Sequence, residues 1–91
     1  MHNSARGFIA QIPVRVSDGM FAHEANVSFF AGADYYSLLV ERADIDFRGR
    51  ERAGYLSVIV VEQGETESII DLPRETFTSG RRVRVPNTLL Q

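Results

Sequence analysis

Residues 7–17 read GFIAQIPVRVS, and their alternation of apolar and polar side chains predicts a β-strand. The apolar face of this strand would carry Phe8, Ala10, Ile12, Val14 and Val16. Gln11, Pro13 and Arg15 would share the opposite face. Because proline cannot donate a hydrogen bond to a neighbouring strand, Pro13 predicts a sheet edge or a bulge at this point.

The same period of two continues through most of the chain. Further strands are expected at about residues 22–31, 42–48, 54–62, 66–72 and 81–85. Segments rich in Gly, Asp and Pro separate these strands, and Pro73 is expected to end the strand at residues 66–72. The pattern predicts a single β domain over residues 1–91. Its fold class would be all-β, a small antiparallel barrel or sandwich of about six strands with at most one short helix, near residues 73–79.

Residues 35–43, YYSLLVERA, allow two interpretations. Asp34 could cap a helix, or the segment could begin a long strand. If the segment is a strand, the alternation of inward-facing residues must shift by one position, because Leu38 is even-numbered and Ile45 is odd-numbered. A bulge near residues 41–42 would provide this change. We favour the bulged strand, because the surrounding sequence has the period of a sheet.

Composition excludes several classes of protein. Hydrophobic residues make up 44% of the chain and charged residues 24%, which is typical of a globular domain. With a formal net charge of −2, the chain has no overall field that would attract nucleic acid. The absence of cysteine excludes disulfides, thiolate catalysis and Cys-based zinc sites. No apolar run has the length of a membrane span or a signal-peptide core, so we expect a soluble cytoplasmic protein.

Two small groups of titratable residues resemble catalytic or metal-binding pairs. Asp44 and Asp46 would lie on one strand face, about 6.5–7 Å apart. His23 precedes Glu24, and a histidine beside a carboxylate can act as a base. Neither group has a third partner at a recognisable spacing. We therefore interpret both as surface residues, and expect no enzymatic activity, no cofactor and no metal site.

Arginine and valine alternate in GRRVRVP, residues 80–86, and all ten basic residues of the chain are arginine. A possible anion or partner contact comprises Arg74, Arg81, Arg82 and Arg84. The favoured interpretation is structural: Arg82 and Arg84 would face acidic residues of the segment 65–71 on a neighbouring strand. The segment RGRERAG, residues 48–54, predicts an exposed hairpin tip without apolar contacts.

Residues 54–62, GYLSVIVVE, are apolar on both faces of the predicted strand. Leu56, Val58 and Val60 would fill the core. Tyr55, Ile59 and Val61 would then need a cover on the other face, and a chain of 91 residues has little material left to supply one. These three residues therefore predict an interface with a second copy of the chain.

The leading functional prediction is a non-enzymatic, homo-oligomeric binding module, most simply a dimer, with a further protein partner as an option. A first alternative is a β-barrel that binds nucleic acid through the C-terminal arginines, although we do not expect such binding. A second alternative is a small-molecule binding barrel, whose aromatic pocket would comprise Phe29, Tyr36 and Phe47.

Overall fold

The computed structural model describes residues 7–91, which form seven β-strands and two short 3-10 turns. The strands are β1 (Phe8–Asp18), β2 (Glu24–Ala31), β3 (Asp34–Glu41), β4 (Ile45–Asp46), β5 (Ala53–Gln63), β6 (Glu67–Thr76) and β7 (Gly80–Pro86). The 3-10 turns are Arg42–Asp44 and Asn87–Leu89. The predicted all-β class is confirmed. Within residues 7–91 no helix has the length and apolar character needed to cross a membrane.

One antiparallel sheet contains all seven strands, in the order β3-β2-β1-β5-β6-β7, with the short β4 paired to β5. The sheet curls into a half-barrel, so that β3 packs against β6 although the two are far apart in the strand order. The backbone N–H of Phe77, just after β6, donates a 3.0 Å hydrogen bond to the carbonyl of Ser37 in β3. The concave side of the sheet therefore surrounds the core.

The core is formed by alternate residues of each strand, as the period of two predicts. Ile12 of β1 and Leu56 of β5 are direct partners in the register, and both are fully buried. The other large residues that are fully buried include Leu38, Ile70 and Leu72. Burial of each such side chain stabilises the fold by about 1.5–3 kcal/mol. The predicted inward faces of β1 and β5 are confirmed, although Phe8 lies at the rim and is partly exposed.

The ambiguous segment 35–43 is a strand, β3, followed by the 3-10 turn Arg42–Asp44. The strand interpretation is confirmed, but the change of phase comes from this turn and not from a bulge. The turn takes three residues out of the pleat, and alternation restarts at Ile45, which is buried. The strand expected at residues 42–48 is thus reduced to Ile45–Asp46, and Ala43 is exposed because it belongs to the turn.

Strand β6 continues past Pro73 to Thr76, so the prediction that Pro73 ends the strand is wrong. The pairing of β6 with β7 stops after Asp71 and Arg82 and resumes at Thr76 and Gly80. Pro73 lies in this gap, where its missing N–H breaks no ladder hydrogen bond. Residues 73–79 thus form the end of a strand and a turn instead of a one-turn helix.

Pro13 occupies a local edge, as predicted, although β1 lies in the middle of the sheet. Strand β1 pairs with β5 over residues 8–15, but with β2 only over residues 15–18. On the side away from β5, Gln11 exchanges two backbone hydrogen bonds, of 3.0 and 2.9 Å, with Gln91. Pro13 faces the same free side, because alternate residues of a strand point their backbone groups in the same direction.

Candidate functional site

The convex, outer face of β1 and β5, the two central strands of the sheet, carries an apolar pair. Ile9 and Ile59 are direct partners in the β1–β5 register, and they are 72% and 46% exposed. A hollow of about 140 Å³ lies beside them, with Pro73 and Arg81 in its wall. Of the other exposed hydrophobic residues, Met20 and Phe77 lie in turns, and Phe30 and Tyr35 form a separate exposed pair on β2 and β3. The Ile9–Ile59 pair lies on the two central strands of the sheet, with Asp71 of β6 beside Ile59, whereas β2 pairs with β1 only at residues 15–18 and leaves the other side of Ile9 open.

The three residues predicted for a dimer interface have different surroundings. Ile59 is exposed, as described above. Tyr55 is half-buried, and the guanidinium carbon of Arg48 lies 3.7 Å from its ring centroid. Val61 is also half-buried and lies at a register shift between β5 and β6. The structure thus groups Ile59 with Ile9, a neighbour that the sequence alone does not indicate.

Arg48 makes two side-chain hydrogen bonds in addition to its contact with the Tyr55 ring. Its Nη2 donates a 2.6 Å hydrogen bond to Oε1 of Gln11, and its Nε donates a 3.2 Å bond to Oδ2 of Asp46. Arg48 is exposed, as predicted for residues 48–54, but the expectation that it has no apolar contact is wrong, because it lies over the Tyr55 ring on the outer face of the sheet. Arg50 and Arg52 are exposed, as predicted.

The C-terminal arginines are mostly paired with nearby acceptors. Arg82 donates 2.8 and 3.0 Å bonds to the two carboxylate oxygens of Asp71. Arg84 lies 3.6 Å from Oε1 of Glu67, and Arg81 donates a 3.1 Å bond to the backbone carbonyl of Leu72. The predicted cross-strand pairing of Arg82 and Arg84 is therefore observed.

Charge pairing alters the titration of this strand pair. The hydrogen bonds from Arg82 hold the pKa of the Asp71 carboxyl below its ordinary value, despite an opposing effect of burial. The same bonds raise the pKa of the Arg82 guanidinium. Arg74 is exposed, and it makes no side-chain hydrogen bond or ion pair to any residue between 7 and 91. The four arginines do not form one unpaired cationic surface.

The aromatic residues predicted for a ligand pocket lie in two places. Phe29 and Tyr36 are neighbours on the inner side of β2 and β3, with ring centroids 5.5 Å apart. Phe47 lines a separate cleft of about 520 Å³, together with Arg42 and Arg50. This cleft contains neither Phe29 nor Tyr36, so it does not bring the three aromatic rings together.

A larger cleft of about 780 Å³ opens where β1 and β2 separate. Its lining combines aromatic and basic side chains, namely Phe29, Phe30, Tyr35, Arg15 and Arg52. Pro13 and Leu89 complete its apolar part. The sequence does contain the signal for this cleft, since a proline in a central strand implies that one neighbouring strand departs.

The titratable groups singled out from the sequence lie at the surface. His23, Glu24 and Glu41 could each offer a metal ligand, and these ligand atoms lie within 4.8 Å of one another. The His23 Nε2 atom is 3.7 Å from Oε2 of Glu41. Asp44 lies in the 3-10 turn and Asp46 pairs with Arg48, so the two aspartates do not share a strand face. Clusters of acidic groups like that of His23, Glu24 and Glu41 are common at protein surfaces without a bound ion.

Comparison with known proteins identifies no relative. No protein family, no curated protein and no solved structure matches this chain. The function must therefore be argued from the chain's own side chains.

Proposed function

We propose that the chain is a non-enzymatic interaction module that pairs with a second copy of itself through the outer face of β1 and β5. The observation that carries this proposal is the exposure of Ile9 and Ile59, which are direct register partners on the two central strands of the sheet. Exposed apolar surface in such a position is costly in water. A two-fold interface would remove it from both copies at once.

The shape of the patch supports a second copy as the occupant. Ile9 projects from the sheet, and the hollow of about 140 Å³ beside it is lined by Ile59, Pro73 and Arg81. One surface thus offers both a projection and a recess. In a two-fold arrangement, Ile9 of each copy would enter the hollow of the other, so that both contacts form together.

Nucleic-acid binding through the C-terminal arginines is less well supported. Asp71 already accepts hydrogen bonds from two of the five N–H donors of Arg82, one on Nε and one on Nη2, and its negative charge opposes a phosphate at this position. Glu67 lies beside Arg84 in the same way. A cytoplasmic location is part of the proposal, since a chain without cysteine gains nothing from an oxidising compartment.

The test is the solution mass of the chain, measured by sedimentation equilibrium from low to high micromolar concentration. We expect the mass to rise from the monomer value of 10.2 kDa towards twice that value. Ile9→Asp and Ile59→Asp should each shift the association to higher concentration. Phe30→Asp is the matched control, because Phe30 is 63% exposed on the same convex face but lies outside the patch.

Two results would contradict the proposal. One is a wild-type chain that stays monomeric at high micromolar concentration. The other is a loss of association in Phe30→Asp equal to that in Ile9→Asp, which would indicate non-specific hydrophobic contact. Circular dichroism of each variant separates a loss of association from a loss of folding.

A further inference from the structure

The cleft between β1 and β2 has an exposed aromatic wall. Phe30 and Tyr35 are direct partners in the β2–β3 register, and their ring centroids are 4.9 Å apart. Their side chains are 63% and 54% exposed, and both lie on the convex face. The inner face of the same strands is occupied by Phe29 and Tyr36. The outer pair therefore adds little to the core, and its rings are accessible for stacking.

Arginine side chains form the second wall of the same cleft. Arg15 is the partner of Ser28 in the register, two residues before Phe30 on the same face of β2. Diagonal neighbours of this kind lie about 7–8 Å apart, which places the guanidinium of Arg15 within reach of a ligand on the aromatic wall. Arg52 lines the cleft as well.

These two arginines differ from most others in the structure. Arg42, Arg48, Arg82 and Arg84 each have a carboxylate partner. In the described part of the chain, by contrast, neither Arg15 nor Arg52 makes a side-chain hydrogen bond or an ion pair, and no Asp or Glu lines this cleft. The cleft thus holds two positive charges without a protein partner.

We propose that this cleft binds a nucleoside phosphate, with the base stacked on Phe30 or Tyr35 and the phosphate held by Arg15 and Arg52. Guanidinium groups bind phosphate oxygens through paired hydrogen bonds, and aromatic side chains stack on bases of any sequence. The cleft volume of about 780 Å³ is typical of a small-molecule site. The proposal does not depend on self-association, because the patch around Ile9 and Ile59 lies outside the cleft lining.

The test is a titration of the isotopically labelled full chain with GMP, followed by amide chemical shifts in two-dimensional NMR. We expect saturable shifts for residues around Arg15, Phe30 and Tyr35, with affinity that falls as salt is added. Guanosine alone and inorganic phosphate alone should each bind at least tenfold more weakly, because guanosine contacts only the aromatic wall and phosphate only the arginines.

Variants assign the binding to the two walls. The double variant Arg15→Ser with Arg52→Ser, and separately Phe30→Ser with Tyr35→Ser, should each weaken GMP binding at least tenfold. Matched controls are Arg74→Ser and Phe77→Ser, which remove an exposed arginine and an exposed phenylalanine that do not line the cleft. The controls should bind GMP as the wild type does, and dispersed amide spectra will show that each variant is folded.

The proposal is overturned if GMP causes no saturable shift at millimolar concentration, or if the cleft variants bind it as well as the controls do. A further titration uses a short oligothymidylate. If the oligonucleotide binds while GMP does not, the surface recognises an extended single strand and the cleft is not a nucleotide site. Binding of GMP in the folded wild type with loss in both double variants supports it.

Discussion

The guanidinium of Arg82 donates one hydrogen bond to each carboxylate oxygen of Asp71, across neighbouring strands β7 and β6. This two-bond geometry is the most favourable one for an arginine and a carboxylate. It lowers the pKa of the Asp71 carboxyl and links the basic strand β7 to the acidic strand β6. Alternating arginines here stabilise strand pairing.

The Asp71–Arg82 pair predicts a specific dependence of stability on pH. Because the pKa of Asp71 is lower in the folded state, its contribution is fully present above the unfolded value of about 3.9 and is lost as pH falls through the folded value. Asp71→Asn should lower the melting temperature by about 2–4 °C at pH 7. The difference from wild type should remain constant down to pH 5 and shrink below pH 4, as measured by thermal unfolding.

Glu67→Gln is the matched control for this experiment, because the Glu67–Arg84 distance of 3.6 Å is too long for a hydrogen bond of the same quality. We expect a smaller loss of stability for it at pH 7. An Asp71→Asn chain as stable as wild type at pH 7 would contradict the structural role of the pair.

Gly54 is expected to tolerate no side chain. A Cβ atom there would lie 2.7 Å from Cγ2 of Ile45 and 2.9 Å from the carbonyl oxygen of Asp46, because β4 pairs with β5 next to this position. Gly54→Ala should therefore cost about 1–3 kcal/mol in the free energy of unfolding, measured in urea. Gly32→Ala provides a contrast: its Cβ would meet no atom within 4 Å, and only its positive φ of 67° opposes it, at about 1 kcal/mol.

Arg48 is expected to contribute more to stability than its neighbour Arg50. Arg48→Ala removes the contact with the Tyr55 ring and the bonds to Gln11 and Asp46, and should cost about 1 kcal/mol. Arg50→Ala should stay within about 0.5 kcal/mol of wild type. Arg48 also has a positive φ of 49°, so Arg48→Gly should be less destabilising than Arg48→Ala. Equal stabilities for the Arg48→Ala and Arg50→Ala chains would refute this assignment.

Asn87 joins the turn between β5 and β6 to the C-terminal 3-10 turn. Its Oδ1 accepts a hydrogen bond from the buried hydroxyl of Ser68, and its Nδ2 donates a 2.9 Å bond to the carbonyl of Gly64. Asn87→Ala would leave the Ser68 hydroxyl buried without a partner, at a cost of about 1–3 kcal/mol. Adding Ser68→Ala should restore part of this loss. A double-mutant cycle in denaturant measures the coupling, and additive losses would disprove it.

Strand identity could be predicted from the sequence because alternation reports directly on burial. Val27 and Phe29 are buried and Phe30 is exposed, as their spacing indicates. The prediction was less accurate where two local solutions satisfy the same pattern. The change of phase between Leu38 and Ile45 needs an interruption of the pleat, and a 3-10 turn provides it as well as a bulge does.

The candidate surfaces were harder to predict, because they depend on which residues of different strands become neighbours. Ile9 gains its significance only from the register that places it opposite Ile59. Likewise, Arg48 meets the Tyr55 ring through the return of the chain into β5. The sequence predicts that Arg82 pairs with an acidic residue, because an acidic segment precedes the basic strand. That this residue is Asp71 follows only from the β6–β7 register.

The connection between β1 and β5 also determines the order in which the sheet can assemble. Ile9 and Ile59 are about fifty residues apart in the chain, whereas the β2–β3 and β6–β7 hairpins join strands separated by short turns. Contacts between distant residues form late, because closing the long loop costs chain entropy first. Strand β1 is therefore expected to dock last on β5. Until it does, one edge of β5 is open, and this is the stage at which the folding chain is most exposed to pairing with another molecule.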